Sequence, residues 1–282
     1  MKVKLTPFVR IRSFIQRSGN DPLMSNPFRC PTNYLTGEIM LRKGIIVSHK
    51  TINTIVAIVA LLLFLICLYG MIDAYIVYMG ANDAGILKYK PVSGNTETLR
   101  ELPGNAVAWL TVDDTRIDYP VMQGETNSEY LNKDPHGEFS LSGSIFLDSR
   151  NDSTFSDPYS LIYGHHMEYG AMFGALDKYA DQAFFDAHKT GSLTVVNGEE
   201  YHIKFFAVCK AQATEKVIFD PPQSDKKSLL DYLSKNALND EPQEVDTGAK
   251  LIALSTCQSA ESNERMIVFG TITPKTTPKN QG

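Results

Sequence analysis

A cysteine, an arginine and a histidine carry the chemistry that this sequence predicts. Cys257 ends an apolar run that begins at Leu251, and Arg265 opens a second apolar run eight residues after the cysteine. His165 lies far upstream, directly after Gly164 at the end of another short apolar segment. A thiol needs a base or a neighbouring cation to become an effective nucleophile, because little of it is ionised at neutral pH. The three residues therefore predict nucleophilic catalysis by a cysteine.

Each of these residue types has a defined role in such chemistry. His165 could deprotonate the thiol, or lie as an imidazolium beside a thiolate, and then protonate a leaving amine. Arg265 cannot release a proton, but its fork of N–H donors suits a substrate carbonyl or the oxyanion of a tetrahedral intermediate. Ser255 shares a strand face with Cys257, so its hydroxyl either supports the site, together with the neighbouring Thr256, or is simply a buried serine.

Alternative assignments exist for two of the three residues. His166 is as close in sequence as His165, and we favour His165 because the Gly-His step fixes its direction. Arg265 could instead be a surface cation at the start of a strand. The remaining candidate histidines are isolated in sequence and are interpreted as structural; they are His136, His188 and His202.

The cysteines point to a free thiol and to no metal site. The four are Cys30, Cys67, Cys209 and Cys257, and none belongs to a CxxC pair or a Cys/His cluster with metal-ligand spacing. Cys209 lies in an alternating strand and is interpreted as a small buried hydrophobe. The cysteine spacing therefore predicts no metal site.

An uncharged segment near the N-terminus predicts a membrane span. Residues 51–72 contain no charged side chain, and within them 55–68 are apolar without interruption. The length of the uncharged segment matches the roughly 20 residues that a membrane-spanning helix needs. Residues 1–50 carry nine Lys or Arg and two acids, a charge of about +7. Since the net charge of the chain is −5, the remaining residues together carry about −12. The positive-inside rule then places the N-terminus in the cytoplasm and the long C-terminal part outside. This basic segment does not indicate nucleic-acid binding, and a cleaved signal peptide is the alternative.

The chain is expected to divide into five parts. Residues 1–50 form a basic cytoplasmic segment, which is expected to lack regular structure over 1–44, and we hypothesise that Met40 is the native start and that 1–39 arose in gene calling. The other four parts are a transmembrane signal anchor over 51–72, a helical stalk over 73–104, a catalytic barrel over 105–273 and a polar tail over 274–282.

The extracellular part is expected to be mainly β. About eight short strands are predicted, with a helical region over 172–189 and an amphipathic helix over 226–238. No repeat and no parallel βαβ rhythm is visible. A closed, eight-stranded antiparallel barrel with helices inserted between strands fits this pattern best.

The motifs resemble those of the sortase family, over about residues 95–273. The segment Leu254–Cys257 is similar to that family's cysteine motif, and Arg265 falls where its arginine does. Tyr163-Gly-His-His-Met167, with Met172-Phe173, resembles the histidine motif of the class B branch, which commonly has Asn at the position of His166. Two further segments look class B: Gly143–Asp148 and the helix at 226–238.

The resemblance implies a sortase barrel on a signal anchor in a Gram-positive cell membrane. Such an enzyme cleaves a sorting pentapeptide of a secreted protein after its threonine, often of the Asn-Pro-x-Thr type in class B, and holds the acyl group on Cys257 as a thioester. An amine from a peptidoglycan precursor then releases it, or a pilin lysine in enzymes that join pilin subunits. The resemblance implies no metal and no organic cofactor. Two rivals remain, a cysteine hydrolase that uses water and a non-catalytic surface-binding barrel.

Overall fold

Nine strands form one sheet in which apolar residues line both faces. The computed structural model describes residues 33–81, 84–92, 95–240, 248–257 and 263–275. The strands are β1 (Ala106–Val112), β2 (Asp118–Met122), β3 (Ile145–Leu147), β4 (Tyr159–Gly164), β5 (Thr190–Val195), β6 (Glu200–Gln212), β7 (Ala237–Asp240), β8 (Lys250–Thr256) and β9 (Glu264–Pro274).

The sheet closes into an eight-stranded barrel. The strand order is β5-β1-β2-β3-β4-β8-β9-β6-β7, and a further pairing between β5 and β6 joins the two sides. β7 pairs with β6 outside this ring. The predicted closed, eight-stranded barrel is thus confirmed, and closure removes the exposed edges that an open sheet would present.

The predicted antiparallel arrangement is wrong, because the barrel is mixed. β2 pairs with β3 in parallel, and so does β4 with β8. Parallel neighbours need a crossover connection. Here one crossover is residues 123–144, which contain only one short 3₁₀ helix, and the other contains β5, β6 and β7. Neither produces the strand–helix–strand rhythm from which parallel pairing is usually predicted.

Among the described residues, five α-helices accompany the strands. They are α1 (Asn33–Ala81), α2 (Glu97–Arg100), α3 (Gln182–Ala187), α4 (Lys216–Phe219) and α5 (Lys226–Asn236). Short 3₁₀ helices lie at Ala84–Tyr89, Glu129–Leu131, Glu168–Gly170, Gly174–Ala180 and Pro221–Gln223.

Two of the predicted helical regions have different bounds in the structure. The region 172–189 is broken at Asp181, whose carboxylate accepts a hydrogen bond from the Phe184 N–H (2.9 Å) and so begins α3. The helix predicted over 226–238 ends at Asn236, and Leu238 belongs to β7, a strand that the sequence did not predict. Pairing with β6 outweighs the helical pattern there.

Helix α1 contains the predicted membrane span. It is 49 residues long and is apolar and long enough to cross a membrane. Its residues from Asn33 to 44 are helical, which corrects the expectation that 1–44 lack regular structure; residues 1–32 and 276–282 lie outside the described part of the chain. The chain divides into two compact units, Met1–Leu65 and Ile66–Gly282, and the second contains the barrel.

Strand alternation separates two apolar cores in the second unit. One lies on the inner face of the barrel and includes Ile162, Leu254 and Val268. The other lies on the opposite face of the same strands and includes Tyr163, Cys257, Phe269 and residues of α4 and α5. The candidate site therefore lies on the outer face, between the barrel wall and these helices.

Candidate active site

Strand register brings the three candidate residues into one row. Gly164 of β4 pairs with Thr256 of β8, and the Cys257 N–H donates to the Gly164 carbonyl (2.7 Å), so His165 and Cys257 follow on adjacent strands. Ser255 pairs with Ile267 of β9, and the same antiparallel register, continued by two residues, sets Arg265 opposite Cys257.

Residues that are paired across a sheet project from the same face. Tyr163, Cys257 and Ile267 all belong to the outer core, and alternation puts His165 and Arg265 on this face as well. Strands lie about 4.8 Å apart, so the cysteine backbone is about one strand spacing from each of the other two. The structure thus brings together three residues that are separated by as much as 100 positions.

Cys257 is held in an environment that opposes ionisation. The residue is 7% exposed, and burial raises the pKa of its thiol to about 12, while the positive charge of Arg265 acts in the lowering direction. The Cys257 thiol is therefore neutral at physiological pH. A thiol in this state needs a base that accepts its proton before it can act as a nucleophile.

His165 has one ring nitrogen fixed by the chain. Its Nε2 lies 2.7 Å from the carbonyl oxygen of Leu131. A carbonyl can only accept, so Nε2 must carry a proton, and Nδ1 is then the basic atom of the neutral imidazole. The residue is half-buried at the end of β4, where it can exchange a proton with a neighbouring group.

His166, the alternative base, has a different surrounding. Its side chain is exposed, and its Nε2 lies 2.6 Å from the Asp177 carboxylate in the Gly174–Ala180 helix. Neighbouring residues of an extended segment project in opposite directions, so His166 points away from the row that contains Cys257. The geometry favours His165 of the two.

Arg265 packs against two aromatic rings. Its guanidinium carbon lies 5.7 Å from the ring centroid of Tyr163 and 5.0 Å from that of Phe219, distances at which cations and rings attract. Its buried Nε has no hydrogen-bond partner among the described residues. A buried unpaired donor is costly, so this atom marks a polar position that no described residue satisfies.

An ion pair between buried Asp148 and exposed Arg150 adjoins these rings, and sequence reasoning did not identify it as part of the site. Asp148 follows β3 and is fully buried, and Arg150 donates to both of its oxygens, from Nε (2.9 Å) and Nη2 (2.8 Å). The Tyr163 hydroxyl donates to the same carboxylate (3.1 Å). The available signal was an Asp-x-Arg pair directly after a fully apolar strand.

Ser255 and Thr256 are the last two residues of β8, directly before Cys257. Both are buried, and the Ser255 hydroxyl donates to the Thr256 carbonyl (3.1 Å). The Thr256 hydroxyl accepts from the Met266 N–H (3.0 Å) and so ties β8 to β9 beside Cys257 and Arg265. These hydroxyls are positioned to stabilise the strand ends that carry the site.

The described residues contain no group of three or more His, Cys, Asp and Glu side chains that could hold a metal ion. The arrangement offers a thiol, an imidazole whose Nε2 is held by the Leu131 carbonyl, and a guanidinium whose Nε is unpaired among the described residues. That combination can attack a carbonyl, stabilise the resulting oxyanion and protonate a leaving group.

Comparison with known proteins gives a consistent result. The family model for the sortase domain matches residues 110–273. Sortase B of Listeria monocytogenes is 35% identical over 182 residues, which cover 63% of this chain and 73% of that protein.

Solved structures show the same likeness. A Streptococcus pyogenes class B sortase involved in pilus biogenesis matches with a TM-score of 0.56 and 40% identity, over 60% of this chain and 92% of that one. The Staphylococcus aureus sortase B–substrate complex matches with a TM-score of 0.59 and 29% identity, over 64% and 85% of the two chains.

Proposed function

This chain belongs to the sortase family, whose members are transpeptidases, and from that premise we propose that it is a membrane-anchored cysteine transpeptidase with Cys257 as its nucleophile. The observation that carries the proposal is the row formed by His165, Cys257 and Arg265 on three adjacent strands. A non-catalytic binding barrel would have no reason to gather a base, a thiol and an arginine with an unpaired donor at one point.

The first half of the reaction forms a thioester. The Cys257 sulfur attacks the carbonyl carbon of the substrate threonine while its proton passes to Nδ1 of His165. Arg265 donates to the oxyanion that forms on the carbonyl oxygen. The carbon–nitrogen bond then breaks, and the leaving amine takes its proton from His165. The acyl group remains on the sulfur.

The second half transfers the acyl group to an amine. The amine nitrogen attacks the thioester carbonyl and gives a proton to His165, and Arg265 again binds the oxyanion. The carbon–sulfur bond breaks, a new amide forms, and the sulfur recovers its proton. The same three residues serve both halves, with His165 alternating between acid and base.

The proposed substrates are secreted proteins with a C-terminal sorting signal of the Asn-Pro-x-Thr type. The proposed acceptor is an amine of a peptidoglycan precursor, so that the product is a protein attached to the cell wall. A pilin lysine is the second candidate acceptor, and the likeness to the Streptococcus pyogenes sortase of pilus biogenesis favours it.

The proposed location follows from the apolar helix. Residues 51–72 would cross the membrane, with 1–50 in the cytoplasm, 73–104 as a stalk, the barrel over 105–273 outside the cell and 274–282 as a tail. The basic residues before the span and the acidic body after it support this orientation.

Product analysis tests the proposal against a hydrolase. The protein is incubated with an Asn-Pro-x-Thr-type peptide, with and without an oligoglycine, a diaminopimelate-type amine or a lysine peptide, and the products are weighed by mass spectrometry. We expect a new amide with one of the amines. Hydrolysis alone with every amine would exclude transfer, and peptide processing by Cys257→Ala would exclude the enzyme mechanism itself.

A pilin-joining role makes a separate prediction in the cell. Deleting this protein from its host would remove high-molecular-weight ladders of a surface protein from cell-wall extracts. Loss of a single-size, wall-attached protein would instead identify the peptidoglycan amine as the acceptor.

A further inference from the structure

The Arg265 guanidinium is held by two aromatic rings, and its Nε has no hydrogen-bond partner in the part of the chain that the structure describes. The rings of Tyr163 and Phe219 lie 5.7 and 5.0 Å from its central carbon, and its buried Nε is unpaired among the described residues. A carboxylate partner would occupy the donor fork and cancel the charge. Aromatic faces attract the cation without doing either.

Both rings are anchored to one buried carboxylate. The Tyr163 hydroxyl donates to Asp148 directly, at 3.1 Å. Phe219 is anchored through Arg150, whose Nη2 donates to the Phe219 carbonyl (2.7 Å) while its Nε and Nη2 hold Asp148. Arg150 Nη1 also reaches Asp220, so the end of α4 is tied to the end of β3.

The carboxylate at the centre of this network is fully satisfied. Besides Arg150 and Tyr163, the Asn127 side-chain amide donates to it (2.9 Å) and so does the Arg150 backbone N–H (3.0 Å). Burial acts to raise the pKa of Asp148, but the hydrogen bonds from Arg150 outweigh it, and the net shift is downward. Asp148 therefore stays ionised at neutral pH, with Arg150 as its counter-ion rather than Arg265.

We propose that Asp148, Arg150, Tyr163 and Phe219 form a clamp that positions the charged Arg265 guanidinium beside Cys257. The four are positioning residues in this proposal, because each acts through its contact with Arg265 or through a residue that makes that contact. The clamp rests on the proposed function for its effect on acyl transfer. Its effect on the Cys257 thiol does not depend on any substrate.

The sharpest test removes one hydroxyl and keeps the ring. Tyr163→Phe breaks the hydrogen bond to Asp148. Tyr201→Phe is a matched control. The Tyr201 hydroxyl also donates to a carboxylate, that of Glu199 (3.0 Å), and the Lys250 ammonium lies 5.6 Å from the centre of its ring. Tyr201 lies on β6 outside the site. Asp148→Asn is a second clamp variant, and thermal unfolding of each variant verifies that it folds.

The first readout is site-resolved alkylation of Cys257 by iodoacetamide as a function of pH. A loosened cation stabilises the thiolate less, so Tyr163→Phe is expected to slow alkylation at pH 8 about threefold, which corresponds to about half a pKa unit. Arg265→Ala is expected to slow it at least as much. Tyr201→Phe is expected to match the wild type.

The second readout is the single-turnover rate of thioester formation with the sorting peptide. Tyr163→Phe is expected to reduce this rate about tenfold, since a small misplacement of a catalytic group is costly. In an Arg265→Ala background the same substitution is expected to have no further effect on either readout.

Two results would overturn the clamp. One is a Tyr163→Phe variant that behaves like Tyr201→Phe in both readouts. The other is an equal loss in the Arg265→Ala background, which would mean that Tyr163 supports the fold and does not act through Arg265. If the wild type forms no thioester with any sorting peptide, the proposed function fails, and the alkylation measurements still decide the clamp.

Discussion

Two opposing influences act on the Cys257 sulfur. Burial holds the thiol protonated, with a pKa raised to about 12, and the nearby charge of Arg265 favours the thiolate. The thiol is thus protected from casual alkylation and oxidation, which require the ionised form. In the proposed mechanism its activation depends on His165, whose Nδ1 is left as the basic atom by the bond from Nε2 to Leu131.

The two neighbouring histidines should differ sharply when each is replaced by asparagine. His165→Asn is expected to reduce thioester formation by a factor of about 10² to 10⁴, the usual contribution of a general acid or base. His166→Asn is expected to change it by a few-fold at most, because that ring lies against Asp177. Single-turnover kinetics at pH 7 compare the two, and a larger loss for His166→Asn would reverse the assignment.

The second buried thiol allows a pH test of stability. Burial raises the pKa of Cys209 to about 12 as well. Above about pH 8.5 the unfolded thiol ionises while the folded one stays protonated, so the unfolded state binds fewer protons and stability falls as pH rises. This contribution is fully present below pH 8.5 and is lost between there and about pH 12.

Cys209→Ala should therefore flatten the alkaline loss of stability. The wild type is expected to lose about 1.4 kcal/mol more per pH unit between pH 9.5 and 11 than the variant does, because one titrating thiol is removed. Denaturant unfolding under reducing conditions at several pH values measures this. Parallel curves for wild type and variant would show that the Cys209 thiol ionises equally in both states.

The sequence allowed a candidate site residue to be predicted where its partner lies close by in the chain. Cys257 and Arg265 belong to one hairpin, so their spacing carries information about their proximity. The clamp around Arg265 was not predictable, because its members come from β4, the turn after β3 and the end of α4. No local pattern joins positions 148, 163 and 219.

At the level of secondary structure, the parallel pairing of β4 with β8 determines where the candidate site forms. It delivers His165 and Cys257 to the same sheet edge although 91 residues separate them. Close packing requires a glycine at position 164, the last residue of β4, because a Cβ there would clash with Ile145 Cδ1 and lie 2.8 Å from the Phe173 ring.

Gly164→Ala should therefore damage both fold and site. Inserting a methyl group into this contact is expected to cost about 1–3 kcal/mol of stability, and to displace His165. Gly80→Ala is the control, since a Cβ there meets nothing closer than 3.8 Å. Denaturant unfolding and peptide turnover of the two variants are compared. Unimpaired stability and turnover in Gly164→Ala would contradict the close-packing account.

Across the whole molecule, the closed eight-stranded barrel was predictable from short alternating strands, but its mixed pairing was not. The alternation of apolar and polar residues shows which face of a strand is buried. It does not show whether the neighbouring strand runs parallel or antiparallel. Direction depends on the crossovers, which here hold irregular segments and other strands. The family membership that motif resemblance predicted is confirmed, whereas the three catalytic assignments stay predictions.

The proposed membrane anchor makes a prediction at the same scale. The full chain should remain with membranes in alkaline carbonate and be released by detergent, and a chain that begins at residue 82 should be soluble, because it lacks the uncharged segment 51–72. Protease added to intact Gram-positive protoplasts should digest the barrel. Protection of the barrel from this protease would mean that the orientation is reversed.

The central claim is that the Cys257 sulfur carries the acyl group during transfer. Intact-protein mass spectrometry after mixing the wild type with an Asn-Pro-x-Thr-type peptide, quenched in acid, tests this most directly. The account predicts an added mass equal to the peptide up to its threonine, mapped to Cys257, absent from Cys257→Ala and removed by hydroxylamine. Cleavage of the peptide with no adduct on Cys257, or with an adduct on another residue, would contradict it.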